Sequence, residues 1–510
     1  MLSKAGRAAI FAALLFQGMG WGVPAAAQDV TLIAREGSIE ISGTLQGFDG
    51  EFYRLDTTYG PLTVDAQGVI CEGPACPDLT APRATIRIVG APDAGARLLP
   101  GLFRAFAESR GLIYQEGPGP GFSALILDPE TRKELAEITF RALNPFHASK
   151  ELAEGNAELK LTSRPEDPFG SRAIALDALV PIMAPDNPTP EVSTVDLAAA
   201  LAGEATNWAD LGGPDMPIVL HAMAPETDLA RALEDRLGIP IRAQVEHDDM
   251  ASLAAAVAKD PWALAITGRA EVGPARLVPL TDSCGFPLLA TSMAVKAEDY
   301  PLALPVYFLT PKRRLPLLAR EFLEFLALPQ AEAVVARAGF VDRSAERAPM
   351  TVDGLRLINA IQGAGEDVTL ADLKRLAAVM DGADRLSLTF RFEDGTTVLT
   401  PTSQDNVAAL ARLIASGGFA GEALVLAGFS DGSGAAETNL ALSVERAMRV
   451  LDEVQAAAPD LRAEQLPRVE GFGEVLPMAC DETAAGRHLN RRVELWLVPD
   501  FGPPSGQETP

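Results

Sequence analysis

The chain has 510 residues, 48% hydrophobic and 22% charged, with four cysteines and a formal net charge of −26. At about 150 residues per domain, that length predicts roughly three domains, and the apolar fraction lets each bury a core, which excludes a disordered chain. The negative charge argues against nucleic acid and against anionic membrane surfaces as partners.

Residues 1–27 have the pattern of a secretory signal. Lys4 and Arg7 precede the apolar run AAIFAALLF, and Ala25, Ala26 and Ala27 form a small-residue cleavage site before Gln28. Gln17, Gly18, Gly20 and Gly22 interrupt the run, which argues against a retained membrane helix, and nothing later is long enough to span a bilayer. Cleavage takes the net charge from −26 to −28 through loss of those two cations. The pattern predicts export from the cytoplasm.

Residues 28–80 contain short alternating runs, VTLIA, SIEISGTL, FYRLDTT and PLTVDAQGVI, divided by Gly and Asp turns. They predict a small β module, a binding or docking barrel. Cys71 and Cys76 bracket EGPA, a spacing that predicts a local disulfide in an oxidising compartment. Cys284 and Cys480 can pair only if two distant segments meet. A zinc site is the alternative, but no second close cysteine pair and no well-spaced histidine accompanies them.

From residue 83 to 345 strand, turn and helix alternate: TIRIVG, then APDAG, then RLLPGLFRAFAESRG, with further units to FLEFLALPQAEAVVARAGFVD. That alternation predicts an α/β domain. The runs ALDALVPIMAPDNP, LAGEATNWADLGG, DPWALAITG and YPLALPVYFLT make this region similar to the phosphate-type (PstS-like) type 2 periplasmic binding proteins. The resemblance implies two lobes gripping a small oxyanion such as phosphate with helix N-termini, hydroxyls and an arginine. It selects Ser163, Arg164 and Thr227. Two departures weigh against phosphate. Ala-Pro-Glu-Thr stands at 224–227 where the family has Ser-Gly-Thr, and Glu158 only approximates the acid expected before the arginine loop. A carboxylate at Glu226 beside the site would repel an anion.

Residues 346–381 read as a helical connector with two amphipathic stretches. Residues 382–500 alternate βαβαβ as an independent domain, and 501–510 form a tail. GFSDGSGAAETNLALSVERAMRV, GFGEVLP and GRHLNRRVELWL make residues 382–500 resemble the OmpA-like domain that binds peptidoglycan. The fold class is thus multidomain α/β and α+β. The resemblance selects Asp431, Asn439, Arg446, Arg491 and Arg492. Peptidoglycan stem peptides present diaminopimelate, whose free end sets an ammonium beside a carboxylate. An Asp acceptor suits the ammonium and the planar fork of an Arg suits the carboxylate. Of Arg491 and Arg492, one supports the fold and one lies near the ligand. Leu440, Val444, Ala447, Met448 and Leu451 are expected to face the sheet, leaving Arg446 at the edge. The alternative is a mutual Asp431–Arg446 surface salt bridge.

No other motif points to chemistry. GPGPGF at 117–122 lacks the Lys-Ser/Thr of a phosphate loop and predicts a turn. In HDDM, Asp248 or Asp249 serves as helix N-cap. No Ser, His and Asp set stands in a nucleophile context, so neither enzyme activity, metal nor cofactor is expected. Together the resemblances imply a non-catalytic protein of the Gram-negative periplasm, associated with the cell wall or outer membrane, that binds peptidoglycan through its OmpA-like domain and presents a solute-binding-like domain. The alternatives are a receptor of a phosphate-type ABC transporter and an envelope scaffold with no small ligand.

Overall fold

The computed structural model describes residues 30–34, 39–48, 52–76, 83–118, 121–350, 354–362, 367–393, 396–419 and 421–498. The expected signal segment 1–27 and the tail 501–510 lie outside them. The chain divides near residue 81 into two compact units. No helix among the described residues is long and apolar enough to cross a membrane.

The first unit is one antiparallel sheet. In spatial order its strands are Gly60–Asp65, Phe52–Thr57, Glu40–Phe48, Val30–Ala34 and Val69–Glu72. Alternation places Val30, Leu32, Leu45 and Leu55 on a buried face. Among the described residues no pairing joins the two outer strands, so the sheet is open and not the barrel expected. Cys71 and Cys76 are joined by a disulfide.

The second unit contains a two-lobed domain and a C-terminal domain. The lobes share strand Gly170–Met183, whose first half pairs with Ala303–Thr310 and whose second half pairs with Ala263–Gly268. One lobe buries Ile86, Leu102, Phe103 and Phe322 between its sheet and helix Pro92–Ser109. The other buries Leu179, Ile182, Trp208 and Leu264 beside helix Asp228–Leu237. A strand covered on both faces reads as a continuous apolar run, which is why twelve-letter text such as AIALDALVPIMA resists assignment by alternation alone.

The C-terminal sheet has the order Arg347–Pro349, Asp384–Phe390, Arg492–Val498, Ala423–Phe429, Arg468–Gly471. Helices Pro401–Ala415 and Ala436–Ala457 cover one face with Leu410, Val450 and Val454 against Leu426 and Leu495. Each such buried side chain contributes roughly 1.5–3 kcal/mol. Residues 346–381 are not a free connector. Helices Gly354–Gln362 and Leu370–Met380 lay Ala360, Leu376 and Met380 on the opposite face, against Phe429 and Trp496, and Arg347–Pro349 adds an edge strand. Their apolar stripes thus have a target inside the C-terminal domain.

The two domains are fastened together. The buried Arg385 Nη1 donates to Asp299 Oδ2 (2.6 Å), and Arg391 Nη2 donates to Glu298 O (2.8 Å) and Asp299 Oδ1 (3.2 Å). Cys284 and Cys480 form a disulfide across the same junction.

Candidate functional site

Strand Ala423–Phe429 and helix Ala436–Ala457 approach closely. A methyl group on Gly428 would lie 1.9 Å from Ser443 O, so the glycine permits backbone-to-helix contact. Because the helix sits so low, its buried stripe is Asn439, Ser443, Arg446, Ala447, Val450 and Val454. Leu440 and Met448, expected to face the sheet, are instead 41% and 52% exposed. Arg446 is therefore not an edge residue but is only 4% exposed.

Asp431 begins the loop between that strand and helix. Its Oδ1 accepts from Ser433 N (3.0 Å) and its Oδ2 from Arg491 Nη1 (2.9 Å). Burial pushes the Asp431 carboxyl up, but Arg491 and the Ser433 N–H outweigh it and hold the group below its ordinary value. No ion pair within 4.0 Å joins Asp431 to Arg446 among the described residues, so the mutual salt bridge is not formed. The Nε and Nη1 of Arg446 are buried without any hydrogen-bond partner, and its guanidinium lies 5.7 Å from the centroid of the Phe392 ring. Burial, then the Arg491 charge, lowers the Arg446 pKa, with Asp431 acting the other way. A buried cation short of acceptors is costly, and an entering carboxylate would supply them.

Asn439 donates to Glu474 Oε2 (3.0 Å). Burial first, then the charges of Asp367, Asp481 and Asp431, raises the Glu474 pKa. Asp481 accepts from Gly432 N through Oδ2 (2.7 Å) and from Asn490 Nδ2 through Oδ1 (2.8 Å). Asn490, 1% exposed, also accepts from Met478 N (2.6 Å) and Ala479 N (3.1 Å). Glu474 and Asp481 were not singled out in the sequence. The run GFGEVLP contained the first, whereas nothing local marked the second.

Arg491 and Arg492 part company. Arg492 is fully buried: it donates to Glu494 Oε1 (2.6 Å), Leu476 O (2.9 Å) and Asn490 O (3.2 Å), and covers the Phe429 ring. As a ligand contact Arg492 is corrected to a core residue, because no part of it reaches the site surface. Arg491 is the member beside Asp431.

In the two-lobed domain the residues chosen for an oxyanion come together, with several of their donors engaged by acids of the chain itself. Thr162 Oγ1 donates to Asp228 Oδ1 (2.7 Å), and Ser163 N donates to Asp228 Oδ2 (2.7 Å). Arg164 pairs with Asp235. Both acids belong to helix Asp228–Leu237 of the opposite lobe. Thr227 caps that helix, accepting from Ala230 N (3.3 Å) and donating to Ala224 O (2.7 Å). Ser163 Oγ and Arg164 Nε are buried without a hydrogen-bond partner. Glu226 is exposed and plays no part, and Glu158 pairs with Arg87 and Arg313 instead.

The cleft between the lobes has a volume of about 50 Å³, and its titratable lining is Asp93, Asp177 and Asp228, with no Lys or Arg. Burial pushes Asp177 up to about 7 against N–H donors from Ala178 and Ala270, and pushes Asp93 up to about 6. Acids and an absent counter-cation disfavour an anionic guest. Elsewhere, Asp249 caps helix Met250–Val257 through Ser252 N (2.7 Å), and Gly117 N donates to Ser123 O (2.8 Å), while residues 119–120 of the expected GPGPGF turn lie outside the described residues. Among the described residues Cys284, Cys480 and Glu482 form the one group of metal-ligand type, and its two thiols are spent in the disulfide.

These features define a two-lobed α/β fold joined to a C-terminal domain whose buried polar residues gather around Asp431. The chain carries an OmpA family domain at residues 391–491 and a PBP superfamily domain at residues 148–330. Among solved structures it is similar to a putative phosphate ABC transporter substrate-binding protein with bound phosphate from Clostridium perfringens. That match has 18% identity and a TM-score of 0.42, and covers 51% of this chain and 99% of that one. It is also similar to an ABC-type phosphate transport receptor from Vibrio cholerae, at 17% identity, 50% and 99% coverage and a TM-score of 0.40. PstS from Borrelia burgdorferi follows at 16% identity, 51% and 99% coverage and a TM-score of 0.36. No curated protein matches the chain.

Proposed function

We propose that the chain is a non-catalytic periplasmic protein that binds the diaminopimelate end of peptidoglycan stem peptides and holds a binding-protein-like domain at the cell wall. The observation that carries this reading is Arg446, buried with two unpartnered donor atoms beside the Asp431–Arg491 pair. In the bound state the Arg446 fork donates to the diaminopimelate carboxylate, and Asp431 accepts from the adjacent ammonium while Arg491 keeps the acid ionised. A charge-assisted contact is worth about 1.5–3 kcal/mol, so Arg446→Ala should weaken binding about tenfold or more. Arg446→Lys keeps the charge without the planar fork and should recover only part of it. The experiment is co-sedimentation with purified sacculi beside circular dichroism of each variant. Wild-type retention by folded Arg446→Ala would sink the assignment.

For the middle domain the engagement of Asp228 and Asp235 supports the scaffold reading over a phosphate receptor. The Thr162 hydroxyl, the Ser163 backbone N–H and the Arg164 Nη1 serve the chain's own carboxylates. Titration of the full chain with phosphate and sulfate in a calorimeter tests this. Measurable heat of binding would restore the receptor reading.

A further inference from the structure

The loop that carries Asp431 is tied down from outside its own domain. Asp282 lies in the second lobe, 5% exposed, and its Oδ1 accepts from Cys284 N (2.9 Å) and Phe286 N (2.8 Å). Its Oδ2 accepts from Cys480 N (2.7 Å) in the C-terminal domain, where Cys480 is also disulfide-bonded to Cys284. The next residue, Asp481, holds Gly432 N (2.7 Å), and Gly432 follows Asp431 directly. On the other flank, Arg391 donates to Glu298 O and Asp299 in that same lobe, and its neighbour Phe392 lies against Arg446.

We infer that the middle domain completes the peptidoglycan site: Asp282 and the Cys284–Cys480 bridge are positioning groups that set the 478–482 segment and, through Asp481, the Asp431 loop. This rests on the wall-binding reading above. The physical basis is that Asp431 must face the ligand ammonium within a few tenths of an ångström to keep its contact. Gly432 N has its acceptor on Asp481, whose side chain is held by Asn490 and whose carbonyl is held by Arg487 within the domain, while the preceding Cys480 is held by Asp282 and the disulfide from the other. Remove the second anchor, and Asp481 can drift with the segment that carries it. Two anchors in one lobe flank the two halves of the zwitterion site, the acid half through Asp282 and the cationic half through Arg391. The isolated C-terminal domain would lack both.

The test uses the full chain and a soluble muropeptide whose stem ends in diaminopimelate, with affinity read by calorimetry. Asp282→Asn keeps shape but loses the ionised acceptor, and Cys284→Ser/Cys480→Ser removes the covalent tie. Each should weaken binding by roughly tenfold, the scale of one charge-assisted hydrogen bond. A merely structural role would lower stability but add independently to site substitutions. A positioning role predicts that Asp282→Asn combined with Asp431→Asn costs no more than Asp431→Asn alone, and that the Gly432 amide loses hydrogen-exchange protection in Asp282→Asn. Should Asp282→Asn fail to fold, the double serine variant and wild type treated with dithiothreitol carry the same comparison. Full affinity in these variants, or strict additivity with Asp431→Asn, overturns the inference. If Arg446→Ala still loses affinity in the same series, the wall-binding reading survives that failure. Absence of muropeptide binding by wild type overturns both.

Discussion

Asp228 is the residue whose removal says most about the middle domain. It is 9% exposed, stands in the first turn of its helix, and accepts two hydrogen bonds of 2.7 Å from the opposite lobe. Substitution by Ala deletes both charge-assisted bonds, leaves the buried Thr162 hydroxyl and Ser163 N–H without acceptors, and removes an acid from a helix N-terminus. Breaking such a buried interaction from one side costs about 3–5 kcal/mol. At roughly 2–4 °C per kcal/mol for a large domain, the melting temperature should fall by about 6–20 °C. Asp228→Asn retains one acceptor oxygen and should lose about half as much. The vacated donors then form an anion site, so formate or sulfate should raise the melting temperature of Asp228→Ala while leaving wild type unmoved. Differential scanning calorimetry of the full chain, with and without each anion, provides the measurement. A loss below about 1 kcal/mol, or no anion response in the Ala variant, would refute the idea that this carboxylate fills the cleft.

Two further outcomes separate structural charges from binding ones. Arg492→Ala should destabilise the C-terminal domain by about 3–5 kcal/mol in denaturant melts, because it strips a buried partner from Glu494, whereas Arg491→Ala should leave the melt nearly unchanged and weaken muropeptide binding. The Asp177 carboxyl, raised to about 7, holds a proton in the folded state that the unfolded chain has released by about pH 4, so its stabilising contribution is complete below that value and is lost as pH rises through about 7. Melting temperatures measured from pH 5 to 8 should therefore fall for wild type relative to Asp177→Asn, and parallel curves would exclude the assignment.

What the sequence conveyed, and what it withheld, follow from the range of the interactions involved. The alternation of strands and helices is local and was readable, as was the Asp249 cap three residues before its Ser252 N–H. The polar pattern around Asp431 was readable because strand end, loop and helix start are contiguous. The helix stripe differs from the apolar pattern for a physical reason. Hydrophobicity selects Leu440 and Met448, but the close approach at Gly428 turns the polar Asn439, Ser443 and Arg446 inward. A buried polar cluster thus disguises the face that carries it. The amphipathic helices of 354–380 announced an apolar face without announcing which sheet it covers. Asp228 was beyond reach because its donors lie 65 and 66 residues away, while an acid after Thr227 reads as an ordinary helix start.

The same long-range contacts explain why the two-lobed fold is better suited to constitutive closure than to ligand-driven closure. A free anion would close such a cleft by bridging donors on both lobes, and the work of closure comes from its own binding free energy. Here Asp228 bridges them from within the chain, at an effective concentration in the millimolar range or above, so a free anion must displace an already tethered competitor. The C-terminal domain adds restraint from both sides. Tyr307 and Arg343 of the first-lobe region meet Thr402 and Asp405, while Asp299 of the second lobe takes Arg385 and Arg391. Opening the cleft would require those contacts to shear as well as Asp228 to release. With the lobes held together and the Asp431 loop anchored through Asp282, the contact network favours a rigid body in which the Asp431 site and the middle domain share one geometry. Loosening the latch by Asp228→Ala should then also weaken muropeptide affinity in calorimetry through Asp282, although Asp228 is no part of the Asp431 site.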